Sequence, residues 1–307
     1  MICKDMGPVR REHHTPTEVT GVIAITGSRH PVLAQYAELA HHAGRQRRGQ
    51  AVVEGPLLVR RALADRLPVD NLLFAPSLLR DPDGPVLLEM AQQRAVSCYQ
   101  AGEGLIARVT TTRPTPNVLA VLTVRARPAE QHPIRPDTVL LVAEAINNPD
   151  NLGMLLRTAD AAGASAVLCA GEQTDPFHKH CVRAARGAVG RVSLLTADDL
   201  PACLRHLRAR GVTVVGAALH GEAELFRCAL PRPVAIVVGN EQSGLHPETL
   251  EACSLRLRIP MMPGQDSLNV GVAAGILLYE VYRQAHTVSA GSGPERRDRS
   301  DCTHYQE

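Results

Sequence analysis

The sequence has few aromatic residues and almost no lysine. Aromatic residues make up 3% of its 307 residues, and tryptophan is absent. Stacking of bases on an aromatic platform is therefore a poor candidate for its main mode of recognition. Lysine occurs only at Lys4 and Lys179, so nearly all basic charge is arginine, which binds phosphate in a bidentate manner. Because the formal net charge is only +2, any contact with an anionic polymer must come from local arginine clusters.

Neither a disulfide framework nor a membrane segment is indicated. The eight cysteines are scattered and form no CxxC pair, which favours a reducing, cytoplasmic compartment. The tightest group of metal-ligand side chains is "FHKHC" at 177–181, and further ligands at zinc-site spacing are lacking, so we expect no metal. No apolar run reaches the length of a membrane span, and the N-terminal segment lacks the apolar core of a signal peptide. We therefore expect no membrane contact.

Length and local composition predict two domains. At roughly 150 residues per domain, the chain accommodates about two. A proline- and charge-rich segment separates two regions of alternating strand and helix patterns. The predicted boundaries are a flexible tail at 1–18, a first domain at 19–125, a linker at 126–137, a second domain at 138–286 and a flexible tail at 287–307.

Both domains are predicted to belong to the α/β class. In the first, short β-branched runs such as "GVIAIT" alternate with helical patterns such as "HPVLAQYAELAHHAG" over about 100 residues. In the second, near-continuous apolar strands such as "TVLLVAEAI" and "VAIVVGN" alternate with helices. Strands of this kind predict a parallel sheet covered on both faces, whose ligands bind beyond the carboxyl ends of the strands.

Three polar loops of the second domain are the candidates for function. They span residues 147–163, 237–248 and 258–282. In the first, Asn151 opens a helix that carries Arg157. In the second, two glycines bracket a polar turn, which suits close approach of the backbone to a ligand. In the third, Ser267 and Asn269 precede an apolar helix from Val270; the simplest interpretation is that Ser267 caps this helix and Asn269 lies in its first turn.

Two common nucleotide-binding patterns are missing. The dinucleotide pattern GxGxxG does not follow the strand "TVLLVAEAI", and the phosphate-binding pattern GxxxxGK[ST] does not occur. The glycine-rich loops lie instead near the C-terminal end of the predicted sheet. A nucleotide-dependent oxidoreductase is therefore disfavoured, as is the usual class of methyltransferase.

Taken together, the three loops resemble the three motifs of the SpoU (TrmH-type) RNA ribose 2′-O-methyltransferases, in the SPOUT superfamily. The resembling sequences are "NPDNLGMLLRTADAAG", "VVGNEQSGL" and "IPMMPGQDSLNVGVAAGILLYE", and the match covers about Thr138 to Gln284. The front segment resembles the substrate-binding domain often fused to this family. The resemblance implies a small N-terminal α/β RNA-binding domain and a C-terminal parallel-sheet SPOUT domain with a deep trefoil knot. It also implies a homodimer that forms through the knotted domain.

The resemblance further implies a cofactor, S-adenosylmethionine, and a set of site residues. The residues expected to line the cofactor pocket are Ala217, Gly239, Asn240, Ile259 and Leu268. The residues expected to be catalytic are Arg157, Asn151, Glu241, Ser267 and Asn269. Arg157 would accept the proton of the ribose hydroxyl or clamp the target phosphate; its alternative is a solvent-facing ion pair with Asp160 at i+3. Asn151 would orient Arg157 or the ribose, and Glu241 would bind Arg157 or cap the knot loop.

The implied partner is RNA, with ribosomal RNA favoured by the fused domain, and a role in antibiotic resistance is left open. The arginines expected to contact phosphates are Arg45, Arg47, Arg48, Arg183 and Arg186. A solvated helix face is the alternative for the last two. The alternative functions are a tRNA 2′-O-methyltransferase and an RNA-binding protein that has lost methyl transfer. The chain departs from the family pattern at Gln242, Gly264 and Gly271, which puts the cofactor affinity in question.

Overall fold

The computed structural model describes residues 21–171, 175–264 and 267–287. The predicted tail at 1–18 and the part of the second tail at 288–307 lie outside these residues. Thr287, predicted as the first residue of that tail, is the last residue of the final helix. The chain divides into two compact units between Arg125 and Ala126.

In residues 21–125 the first unit has a five-stranded mixed sheet and five α-helices. Its strands are β1 (Val22–Ile25), β2 (Gln50–Glu54), β3 (Val69–Phe74), β4 (Ser97–Ala101) and β5 (Val118–Thr123). Its helices are α1 (Pro31–Leu39), α2 (His42–Arg48), α3 (Pro56–Ala64), α4 (Gly84–Gln93) and α5 (Glu103–Val109). The strand order is β1-β4-β3-β5-β2, and β5 runs antiparallel to both of its neighbours.

The first unit has a buried core cluster, and it departs from the sequence patterns at two places. Tyr36, Leu73 and Leu119 are buried in one cluster, and each such side chain contributes about 1.5–3 kcal/mol by leaving water. The predicted helix "HPVLAQYAELAHHAG" is divided between α1 and α2 by the extended backbone at His41. β4 was not predicted because its sequence, "SCYQA", contains too few apolar residues to mark it as a strand.

The second unit is an eight-stranded sheet in which every described pair of strands is parallel. Its strands are β6 (Arg127–Pro128), β7 (Val139–Glu144), β8 (Ala166–Ala170), β9 (Ser193–Thr196), β10 (Thr213–Ala217), β11 (Ala223–Glu224), β12 (Val234–Val238) and β13 (Leu255–Arg258). Its helices are α6 (Pro149–Ala161), α7 (Lys179–Ala184), α8 (Ala188–Arg191), α9 (Leu200–Ala209), α10 (Pro247–Ala252) and α11 (Val270–Thr287). The strand order is β11-β13-β10-β12-β7-β8-β9-β6.

The predicted parallel sheet, covered on both faces, is confirmed. Every residue of β7, β8 and β12 is buried, as expected for central strands with helices on either side. The predicted linker at 126–137 is not a free connection, because β6 pairs with β9 and Ala129 is buried in the core. The predicted helix "HCVRAARGA" is divided into α7 and α8 at Arg186, whose φ of 54° is left-handed. The deep trefoil knot stays a prediction.

No helix among the described residues combines the length and the apolar character needed to cross a membrane.

Candidate active site

The three polar loops meet at the carboxyl ends of neighbouring strands. The first loop follows β7, the second follows β12 and the third follows β13. β7 and β12 are adjacent, and β10 lies between β12 and β13. The carboxyl edge of a parallel sheet gathers the loops that follow its strands, so loops far apart in sequence become neighbours.

A cavity of about 400 Å³ lies among the loops that follow β10, β12 and β13. This volume is within the range of small-molecule sites. All five residues predicted to bind the cofactor line the cavity, as do two of the residues predicted to be catalytic. These residues are Ala217, Gly239, Asn240, Ile259, Leu268, Glu241 and Ser267. The structure therefore brings together in one cavity the residues that the sequence marked for cofactor binding.

The shape of the second loop depends on Asn240 and two glycines. Asn240 and Gly244 exchange backbone hydrogen bonds, and the Asn240 side chain accepts bonds from the N–H groups of Gln242 and Ser243. A Cβ on Gly239 would lie 2.3 Å from the carbonyl oxygen of Gly244. Glycine at 239 is therefore required by the close approach of the loop to itself, whereas the sequence suggested close approach to a ligand.

Asn151 links all three loops through its side chain. Its Nδ2 donates to Oε1 of Glu241 at 2.5 Å, and its Oδ1 accepts from Nδ2 of Asn269 at 3.1 Å. The amide uses its donor on the second loop and its acceptor on the third. The sequence predicted that Asn151 orients Arg157 or the ribose; in the structure it fixes the positions of Glu241 and Asn269.

The helix caps differ from the simplest interpretation of the sequence. Asn148 caps α6, with Oδ1 accepting from the N–H of Asp150 at 2.9 Å. Asn269, and not Ser267, caps α11, because its Oδ1 accepts from the N–H of Gly271 at 2.9 Å. A cap of this kind contributes about 1 kcal/mol. Asn269 therefore has two roles, since the same amide also donates to Asn151. Ser267 is exposed and lines the cavity.

Arg157 is exposed, and among the described residues it has no hydrogen-bond or ion-pair partner. Its predicted alternative partner, Asp160, binds Arg191 instead, with Nη2 and Oδ2 2.5 Å apart. The proposed contact with Glu241 is also not formed, since that carboxylate accepts from Asn151. Arg157 lies six residues beyond Asn151, or about 9 Å along the axis of α6. Its guanidinium is therefore available to an external group.

The arginines of α7 and the following turn lie near the first loop. Arg183 Nη2 is 3.5 Å from Oδ1 of Asp150, and His180 Nδ1 is 3.8 Å from Oδ2 of the same carboxylate. The Arg183 side chain is 61% exposed. Arg186 occupies the left-handed position that ends α7. Arg183 is thus adjacent to the residue that precedes Asn151, whereas a solvated helix face alone would not require this contact.

Of the three predicted RNA-binding arginines of the first unit, one is buried and two are exposed but paired with a carboxylate. Arg45 is 5% exposed, and its Nη1 donates to the carbonyl oxygens of Leu39 and Ala40 at 2.8 and 2.9 Å. A buried guanidinium bound by the end of α1 is not placed to bind phosphate, so the expectation for Arg45 is corrected. Arg47 and Arg48 both donate to the carboxylate of Glu38. These hydrogen bonds lower the pKa of Glu38 from its ordinary value.

Glu144 and Thr249 lie beside the site and were not selected as functional residues from the sequence. Glu144 is 6% exposed and accepts from the N–H of His246 at 3.0 Å and from Thr249 Oγ1 at 2.5 Å. The available signal was a carboxylate at the end of an otherwise apolar strand.

Thiol chemistry is disfavoured, because burial raises the pKa of Cys169 to about 12 and that of Cys253 to about 11. No metal-binding group of three or more His, Cys, Asp or Glu occurs within the described ranges.

Comparison with known proteins identifies the family. A model of the SpoU rRNA methylase family matches residues 138–279. The 23S rRNA (guanosine-2′-O-)-methyltransferase RlmB of Nitrosomonas europaea is 36% identical over 191 residues, which cover 62% of this chain and 70% of that protein. The chain belongs to the SpoU rRNA methylase family. The three polar loops, which begin at residues 147, 237 and 258, all start within the segment 138–279 that matches the family model.

Other relatives extend the likeness to both units. The RlmB protein of Ralstonia nicotianae is 40% identical over 152 residues, covering 50% of this chain. This SpoU-family chain thus spans 61% of the length of that relative. The crystal structure of an AdoMet-bound rRNA methyltransferase from Sinorhizobium meliloti is 28% identical, with a TM-score of 0.74, and covers 86% of this chain and 98% of that one.

Proposed function

We propose that this protein transfers the methyl group of S-adenosylmethionine to a ribose 2′-hydroxyl of RNA. The observation that carries the proposal is the pair of hydrogen bonds by which Asn151 joins Glu241 and Asn269 beside the cavity. These bonds place polar groups from three motif loops next to a cavity of cofactor size. Glu241 and Asn269 are exposed, and Arg157, on the same helix as Asn151, is exposed and without a partner among the described residues.

The cavity fits the proposed cofactor in size and in chemistry. Its apolar walls include Leu245, Ile259 and Leu268, which suit an adenine ring. Its loop backbone, bracketed by Gly239 and Gly244, offers peptide groups to polar edges of the ligand. When bound, S-adenosylmethionine supplies a methyl group already activated by a positive sulfur. The protein then has to position the hydroxyl and to provide a path by which the proton that the hydroxyl loses reaches a base or water.

Arg157 is assigned to the RNA side of the reaction. A guanidinium keeps its proton at neutral pH, so we assign it to clamping the target phosphate and polarising the hydroxyl rather than to proton abstraction. Asn269 and Ser267 lie on the loop between the cavity and α11, where they would position the ribose. Arg183 would add a phosphate contact that fixes register.

The substrate that we propose is ribosomal RNA. The support is that the relatives from Nitrosomonas europaea and Ralstonia nicotianae are named as 23S rRNA methyltransferases and that the Sinorhizobium meliloti rRNA methyltransferase matches 86% of this chain. We place the reaction in the cytoplasm, where ribosomes are assembled. The six described cysteines are all free thiols, as in proteins of reducing compartments.

The direct test uses purified protein, methyl-labelled S-adenosylmethionine and unmodified 23S rRNA, 16S rRNA and tRNA. We expect label in one ribosomal RNA, recovered as a 2′-O-methyl nucleoside. Label in tRNA alone would replace the substrate class. Label on a base would overturn the ribose assignment. Cofactor binding without label in free or ribosome-assembled RNA, or no cofactor binding at all, would favour an RNA-binding protein that has lost methyl transfer.

We also propose that the protein is a homodimer. Three large side chains of α11 are half-exposed: Val272, Tyr279 and Tyr282. Met154 of α6 is 40% exposed and lies beside Gly271 of α11, so exposed apolar side chains of both helices are available to a second copy of the chain. Light scattering at micromolar concentration should give twice the chain mass, and Tyr279→Glu should give the monomer mass. A monomeric unmodified protein would contradict the proposal.

A further inference from the structure

The end of β7 contains a buried carboxylate that the proposed chemistry does not use. Glu144 is 6% exposed, although Glu is rarely buried without partners. Its Oε2 accepts from the backbone N–H of His246 at 3.0 Å, and its Oε1 accepts from Oγ1 of Thr249 at 2.5 Å. Thr249 itself is fully buried. The carboxylate therefore fixes the position at which the second loop ends and α10 begins.

The next residue of the chain binds the other end of the same loop. The carbonyl oxygen of Ala145 accepts from Nδ2 of Asn240 at 2.9 Å. Ala145 has a left-handed φ of 52°, a conformation that costs a non-glycine residue energy and that surrounding contacts must maintain. One dipeptide at the end of β7 thus binds the second loop at its start and at its finish.

This loop forms one wall of the cavity. All residues from Gly239 to Leu245 line it, and the loop is held at Asn240 by Ala145 and at His246 by Glu144. The same dipeptide leads into α6, on which Asn151 reaches Glu241 of the loop. The position of this cavity wall is therefore fixed by two residues at the end of β7 that do not themselves line the cavity.

We propose that Glu144 and Thr249 are positioning residues for cofactor binding, because they hold the second loop in the conformation that closes the cavity. This inference rests on the proposed function. Neither side chain lines the cavity, so both act through the loop. Loss of the hydroxyl leaves a buried carboxylate with one of its two described donors missing, and the loop then has to be ordered when the cofactor binds.

The experiment compares Thr249→Val with unmodified full-length protein. Titration calorimetry with S-adenosylmethionine should show a Kd raised about tenfold, the size expected for one lost hydrogen bond to a charged group. In the methyl-transfer assay, KM for the cofactor should rise similarly, while kcat at saturating cofactor and KM for RNA stay unchanged. Thr249→Ser, which keeps the hydroxyl, should restore the Kd.

Thr138→Val is the matched control. Thr138 is 3% exposed and directly precedes the other end of β7, where its Oγ1 accepts from the N–H of Arg135 at 2.8 Å. This variant should lower the melting temperature and leave the Kd unchanged. An unchanged Kd in Thr249→Val, or an equal rise in Thr138→Val, would overturn the inference. If Thr249→Val does not fold, Glu144→Gln replaces it with the same expected rise and the same contrary result. Failure of the unmodified protein to bind the cofactor would instead overturn the proposed function, and this inference with it.

Discussion

The two units of the chain use arginine in opposite ways. In the first unit, Arg45 is buried against the end of α1, and Arg47 and Arg48 share the carboxylate of Glu38. In the second unit, Arg157 is exposed and has no partner among the described residues, on the helix that also carries Asn151. The sequence presents the first group as a cluster of three arginines and Arg157 as a single arginine in a polar motif loop, and both were expected to face RNA.

The difference shows that a basic residue is not by itself a basic surface. Two backbone carbonyls at 2.8 and 2.9 Å convert Arg45 into part of the framework. Glu38 offsets the charge of its two neighbours. Arg157 differs because its possible helix partner, Asp160, is bound by Arg191. A guanidinium is available to an external group only where no carboxylate or carbonyl oxygen of the protein already accepts its hydrogen bonds.

The largest effect on methyl transfer is expected for Arg157→Ala, which tests whether this exposed arginine differs in function from those of the first unit. We expect methyl transfer to fall about a hundredfold or more, the size associated with groups that handle the reacting proton or hydroxyl, while cofactor affinity is kept. Steady-state kinetics and calorimetry measure the two quantities. The matched control is Arg205→Ala, an exposed arginine on α9, which should leave both unchanged. A fall of less than tenfold in Arg157→Ala would show that Arg157 is not central.

Arg45→Met in the first unit is expected to lower the stability of the fold, whereas Arg157→Ala is expected to lower activity. The substitution keeps much of the buried volume and leaves the carbonyls of Leu39 and Ala40 without these donors, so it should cost about 2–3 kcal/mol in free energy of unfolding. Urea unfolding, with hydrogen exchange of the α1 amides, measures the loss. Arg47→Met, at an exposed ion pair, should cost less than about 1 kcal/mol. Equal costs would mean that Arg45 has no special structural role.

A double-mutant cycle tests whether the amide network of the second unit acts as one group. Asn151→Ala and Glu241→Ala should each lower kcat/KM, and the double variant should lose less than the sum, with a coupling of about 1 kcal/mol. Replacing Glu241→Ala by Gln242→Ala gives the matched cycle, because Gln242 follows in the same loop and is not bonded to Asn151. Additive effects in both cycles would show that the hydrogen bond seen in the structure has no catalytic consequence.

The smallest effect is expected for Glu38→Gln. Removal of the carboxylate charge releases Arg47 and Arg48, so affinity for RNA at low salt should rise about threefold with a steeper salt dependence. Asp83→Asn makes the same charge change at a different ion pair of the first unit, with Arg60, and should raise affinity less. Filter binding at several salt concentrations measures both. Equal gains would attribute the effect to net charge alone.

The acidity of Glu38 sets the pH range of that effect. Its folded pKa is lowered, first by the hydrogen bond from Arg47 and then by that from Arg48. The ion pairs therefore stabilise the fold above the ordinary Glu pKa of about 4.3, and this contribution is lost as pH falls through the lowered value. Between pH 6 and 8 the unmodified protein and Glu38→Gln should keep a constant ratio of affinities. A ratio that changes across this range would contradict the assignment.

The sequence predicted the elements of the second unit more fully than its contacts. The apolar runs of β7, β8, β10 and β12 were recognised because buried parallel strands are continuously apolar, and β13 was also predicted although its sequence LRLR alternates. β6 and β11 were missed because a strand of two residues has too few side chains to show a pattern, and the four-residue β9 was also missed. The five residues predicted to bind the cofactor were chosen through the family resemblance, and all of them line one cavity.

The sequence by itself determined the α/β class, the parallel sheet and the loops that gather at its carboxyl edge, because these follow from local apolar patterns and from motifs read within single segments. Only the tertiary structure decided which polar groups pair. Asn151 meets Glu241 and Asn269 across 90 and 118 residues, and Glu144 meets Thr249 across 105. A hydrogen bond depends on atoms that lie about 3 Å apart in space, and spacing along the chain does not specify that distance for residues on different loops.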